Sequence, residues 1–103
     1  MTVGGAVNSY DLGDQVRLSA TFTDADGAAV DPTVITVKYA DPTGAVTDLT
    51  YDVDLAVTRD GDGTYYVDFV PTAAGTWRYR WESTGAVTAA AEGAFMVRRS
   101  SFE

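Results

Sequence analysis

The chain reads as an all-β protein, a sandwich or barrel of seven to eight short strands. Three observations predict this. Apolar and polar residues alternate in several segments, the period-2 pattern of strands with one buried face. Turn signals built from Gly, Pro and Asp recur roughly every 8 to 12 residues, the spacing of sandwiches and barrels, and no segment carries a convincing helical period. The stretch Asp60 to Trp81 condenses the scheme: an acidic Gly turn, an alternating strand, a Pro/Gly corner, then a strand whose alternate residues are Trp77, Tyr79 and Trp81.

The elements follow in order. Residues 1–9 are small and Gly-containing and are expected as a flexible arm, residues 10–100 as the domain and residues 101–103 as a tail. A short strand around Tyr10 to Leu12 ends at the Gly13-Asp14 turn. From Gln15 to Thr23, Val16, Leu18, Ala20 and Phe22 alternate with polar residues, the clearest strand of the first half. Asp24 to Gly27 is a turn, and Asp31-Pro32 leads in extended geometry into a strand from Thr33 to Tyr39, with Ile35, Val37 and Tyr39 on one face. Asp41-Pro42-Thr43-Gly44 is a second turn. Val46 to Tyr51 and Leu55 to Arg59 read as edge strands, because Asp48, Asp52 and Asp54 interrupt the apolar pattern and charge discourages edge pairing. Thr64 to Val70 turns Tyr65, Val67 and Phe69 inward and ends at Pro71, which has no ladder donor. Thr76 to Ser83 follows, and the last strand runs from about Ala94 to Ser100 with Phe95 and Val97 inward. Ala89 to Glu92 is placed in the loop before it, a single helical turn being marginal in water.

Composition narrows the chemistry. At 103 residues there is room for one domain and one core. With no Cys and no His, disulfides, thiolate or imidazole metal sites and the usual base and triad chemistries are excluded, and no cofactor is expected. No apolar run approaches the roughly 20 residues that span a bilayer, and residues 1–5 lack the pattern of a secretory signal, so no membrane partner and synthesis in the cytoplasm are expected. A net charge of −8 argues against nucleic acid, whose phosphates are bound through clustered Lys and Arg. The charge is uneven: residues 1–75 balance to −9 and residues 76–103 to +1.

The run from Gly61 to Trp77 resembles the filamin-type and bacterial immunoglobulin-like repeats. In these, an Asp-Gly-Thr-Tyr opening, an alternating strand, a Pro and Gly corner and an aromatic span two successive strands. Pro71 and Gly75 match that corner, Trp77 takes the place of the corner tyrosine, and Tyr79 takes the place where antibody-type domains carry a Cys. The resemblance implies an immunoglobulin-like Greek-key β-sandwich of seven to eight antiparallel strands, without a disulfide. From Tyr10-Asp11-Leu12-Gly13-Asp14 through Trp81-Glu82-Ser83 to Phe95-Met96-Val97, the chain is also similar to small immunoglobulin-like virion proteins of tailed bacteriophages. That second resemblance implies a structural protein of the virion, assembled in the bacterial cytoplasm, with capsid or other virion proteins as partners.

Four candidate sites follow. Asp24-Ala25-Asp26-Gly27 with Asp31, and Asp60 to Gly63, gather carboxylates in Gly turns as calcium loops do, but neither has the ligand spacing of an EF-hand, and plain turns are the preferred reading. Trp77, Tyr79 and Trp81 with Tyr39, Tyr65, Phe69 and Phe95 have the makings of a sugar platform, yet all fall on the inward phase and are expected as core; Tyr51 and Tyr66 are the aromatics expected outside. The carboxylates offer no obvious acid/base pair, and no Ser has a His to activate it. In the topology that the resemblance implies, the third, sixth and seventh strands share a sheet. Its outer face then collects Lys38, Arg78, Arg80, Met96 and Arg98, a basic stripe on an acidic chain and the expected partner-binding face, set against the plainer reading of solubilising charges paired with Glu82.

Overall fold

Alternation becomes burial in each of the long strands. The computed structural model describes residues 2–5, 9–85 and 87–99, the first group through their backbone. Nine strands lie in the described residues: β1 (Thr2–Gly5), β2 (Ser9–Asp11), β3 (Val16–Thr21), β4 (Val34–Ala40), β5 (Val46–Thr50), β6 (Val57–Gly61), β7 (Thr64–Phe69), β8 (Gly75–Thr84) and β9 (Ala89–Arg98). They form two sheets, β1-β3-β7-β6 and β2-β9-β8-β4-β5. The all-β sandwich expected from the sequence is the fold observed, with β5 and β6 at sheet edges as their charges foretold.

The core between the sheets is built from the inward phase of both. Val16, Leu18, Ala20 and Phe22 come from the β3 segment, Ile35 and Val37 from β4, Tyr65 and Val67 from β7, Trp77, Tyr79 and Trp81 from β8, and Phe95 and Val97 from β9. Each large side chain so buried contributes on the order of 1.5–3 kcal/mol. The rings pack by edge and by offset: Phe22 stands edge-on to Tyr65 and Trp81, and Trp77 stacks with Phe95 at 6.1 Å between centroids. Trp77 also donates its indole N–H to the Ala73 carbonyl at 3.0 Å. The corner hydrogen bond, which tyrosine makes through its hydroxyl, is thus made here by a ring nitrogen.

Four details depart from the sequence reading. The residues expected as a flexible arm, 1–9, include a strand: Thr2–Gly5 pairs antiparallel with β3 from Thr21 to Leu18, since backbone pairing needs no side-chain pattern. Residues 6–8 of that arm and the tail 101–103 lie outside the described residues. Tyr10 sits in β2, which runs parallel to β9 rather than antiparallel and lays Tyr10 against Phe95. The loop assigned to Ala89–Glu92 is the first half of β9, paired in register with β8 from Ser83 to Arg80. Leu55, read as the start of a strand, is in a turn and fully exposed, because Asp54 accepts from the Thr50 N–H at 2.8 Å and folds the chain back before β6 begins.

Candidate functional site

The five-stranded sheet presents its outer face through the even-numbered positions of β4, β8 and β9. Register sets them in rows: Asp48, Lys38, Arg80 and Glu92 lie across β5, β4, β8 and β9, and the next row is Val46, Ala40, Arg78 and Ala94. Met96 is opposite Thr76 one row further, and Arg98 faces Asp11 on β2. Lys38, Arg78, Arg80, Met96 and Arg98 therefore share one face, as the sequence placed them.

Their charges are mostly spoken for. Glu82 accepts from Arg80 Nε at 2.6 Å and lies 3.6 Å from Lys38 Nζ, Glu92 accepts from Arg80 Nη1, and Asp11 pairs with Arg98 at 3.0 Å. The guanidinium of Arg80 and its neighbour Lys38 hold the Glu82 carboxyl below the usual carboxylate range. Three of the five expected residues are thus neutralised, Lys38 and Arg80 in one network with Glu82 and Glu92 and Arg98 in a separate pair with Asp11, while Met96 is apolar. Arg78 is different: it is exposed and has no acidic partner among the described residues. Around it Ala40, Val46, Ala94 and the backbone of Gly93 floor a shallow groove of about 590 Å³. Val46 and Met96 beside it are 59% and 52% exposed. Small side chains make the groove, because Ala at two outward positions leaves the sheet surface low between taller charged neighbours. Gly93 takes part for an inward reason: a Cβ there would stand 2.3 Å from the Tyr79 hydroxyl, so the ring occupies the glycine's missing side-chain space.

The acidic turns have structural work. Asp24 Oδ1 accepts from the N–H of Asp26 and of Ala28, which is plain turn chemistry. Asp31 is saturated by protein donors: Oδ1 takes Gly63 N–H and Tyr65 O–H, both at 2.8 Å, and Arg59 grips both oxygens while also pairing with Asp62. Arg59, then the Gly63 amide and Tyr65, hold the Asp31 carboxyl far below its ordinary range. Burial, with the Asp31 bond adding to it, pushes the Tyr65 hydroxyl up to about 12. Gly63 fits this junction only as glycine, having φ +69° and room for no Cβ beside the Phe22 carbonyl 2.5 Å away. Sequence reasoning named Asp31 and the Asp60–Gly63 turn separately; that they meet was hidden by the 28-residue gap between Asp31 and Arg59.

Of the expected core aromatics, Tyr65, Trp77, Tyr79, Trp81 and Phe95 are buried and Tyr39 and Phe69 partly so, and one aromatic expected outside is not: Tyr51 packs edge-on to Tyr65 at 5.0 Å. Tyr66 is half-buried on the other sheet, with the Arg17 guanidinium 4.0 Å above its ring while Arg17 pairs with Asp68. Tyr39 and Phe69 stack at 4.2 Å and, with Trp77, Thr47 and Thr72, line a cleft of about 230 Å³ at one end of the sandwich.

No family model and no curated protein matches the chain. Among solved structures it is similar to the Lin-41 filamin domain, with a TM-score of 0.72 at 14% identity over 96% of this chain and 92% of that one. It is also similar to part of the chitinase ChiW from Paenibacillus sp. str. FPU-7, a cell-surface-expressed multi-modular enzyme, with a TM-score of 0.63 at 20% identity. There it covers 91% of its own length and spans only 8% of that chain. Strand order, the two-sheet core and the filamin likeness agree: the chain is an immunoglobulin-like β-sandwich.

Proposed function

We propose that this sandwich is a non-enzymatic structural module of a tailed-bacteriophage particle, docking on the capsid surface as a decoration protein. The observation that carries docking is Arg78, an exposed cation without an acidic partner among the described residues, set in an apolar groove on a chain of net charge −8. Arg flanked by apolar surface is the composition enriched at protein interfaces, and the acidic remainder of the surface disfavours acidic partners elsewhere. The virion assignment rests on the resemblance of the sequence from Tyr10 to Val97. Repetition on a symmetric particle lets a modest interface suffice. The non-enzymatic reading is supported by the engagement of Asp24, Asp31, Asp54, Asp68, Glu82 and Glu92 in turns and ion pairs.

Electron microscopy of particles carrying labelled protein tests the placement. Label over the capsid faces is the expected result; label confined to the head-to-tail junction or the tail would replace the decoration role with a joining or tail-attached one. A second reading, a host-cell or glycan adhesion module, is favoured by the Tyr39–Phe69–Trp77 cleft and by the likeness to a segment of the chitinase. Quenching of the tryptophan fluorescence by a soluble oligosaccharide would select it.

A further inference from the structure

Beyond the docking face, one loop presents apolar side chains that the fold does not use. Between β5 and β6, Val53 is 77% exposed and Leu55 fully exposed. The loop is held in shape, since Val53 N–H and Asp54 N–H both donate to the Thr50 carbonyl and Asp54 Oδ2 accepts from Thr50 N–H. Asp52, exposed and at φ 69°, stands beside Val53, and Asp48 is exposed on β5 just before it. The loop is therefore an ordered knob of two aliphatic side chains with an acidic rim.

The groove around Arg78 is its complement: an apolar floor of Ala40, Val46 and Ala94, with Arg78 as a cation that has no acidic partner among the described residues. Knob and groove sit at opposite ends of β5, Val46 at the groove and Thr50 at the loop, so one molecule does not close the contact on itself. We propose that the occupant of the groove is a second copy of this chain, whose Val53 and Leu55 enter it while Asp52 pairs with Arg78. This rests on the docking reading of the same face: off the particle the groove is filled by a second copy, which the capsid displaces on docking. The contact is head-to-tail, so it leaves a free knob and a free groove and propagates. At about 0.15 M salt, screening over roughly 8 Å removes most of the long-range repulsion between acidic copies and leaves the local pairing.

Sedimentation equilibrium of the purified chain at 0.15 M salt, up to about 1 mM, tests this, since a small interface implies weak association. The wild-type chain is expected to rise in average mass with concentration. Leu55→Asp and Arg78→Glu, both at exposed positions, are each expected to stay monomeric while melting as the wild type does. Mixed together they are expected to form a dimer and nothing larger, because one copy keeps its groove and the other its knob. A wild-type chain monomeric throughout, a Leu55→Asp chain that associates like wild type, or a mixture that stays monomeric would each overturn the proposal. The docking reading fails by a different result: loss of capsid binding is expected for Arg78→Glu and not for Leu55→Asp, which keeps the groove.

Discussion

Asp31 accepts from Arg59, the Gly63 amide and Tyr65, so the segment before β4 and the β6–β7 hairpin, distant in sequence, meet at one carboxylate. Its pH signature has two limbs. Asp31, Asp68, Asp41 and Glu82 all have folded pKa values below their unfolded ones. Their stabilisation is complete above the unfolded value of about 4 and is lost as pH falls further. Tyr65 is shifted the other way, to about 12, so its contribution is whole below about 10 and is lost as pH rises toward its folded value. With no His in the chain, thermal melts are expected to be level between about pH 5 and 9, with the midpoint falling on both sides. Tyr65→Phe is expected to cost about 1 kcal/mol at neutral pH and to flatten the alkaline limb. A wild-type midpoint that keeps rising from pH 9 to 11 would contradict the assignment. In the sequence, Asp31 was visible as one acid among fifteen; nothing local revealed its partners, because hydrogen bonds across 28 and 34 residues leave no periodic trace.

At the scale of elements, the strands with strict alternation were legible and those with monotonous composition were not. Val16 to Phe22 and Trp77 to Trp81 announce their buried faces because inward and outward residues differ in kind. Ala89-Ala90-Ala91 carries no such contrast, and alanine favours helix, so the long partner strand β8 decides the outcome by tertiary pairing. That miss had a consequence for the site. With Glu92 left in a loop, its place opposite Arg80 was hidden, and the outer face read as more basic than it is. Ala90 lies exposed on β9 opposite Glu82, so Ala90→Thr should stabilise the chain by a few tenths of a kcal/mol to about 1 kcal/mol through strand preference. Chemical denaturation checks this; a loss of more than about 1 kcal/mol would mean that the segment prefers a helical turn.

The whole molecule separates two tasks by face. Inward residues of both sheets make the core, leaving the outer surface of the five-stranded sheet for the docking proposed above. The fold class was legible from alternation and turn spacing, and the five residues of the candidate face from strand phase together with the topology that the family resemblance implies. What phase does not give is which charge lacks a partner. Pairing of Lys38, Arg80 and Arg98 with Glu82, Glu92 and Asp11 singles out Arg78 as the centre of the face. The most direct test is co-sedimentation of the wild-type chain and Arg78→Glu, at about 0.15 M salt, with purified particles of a tailed phage that encodes it, as the proposed function requires. Saturable binding by the wild type, weakened about tenfold or more in Arg78→Glu, is the expected result. Equal binding by the two chains, or no binding by either, would contradict docking through this face.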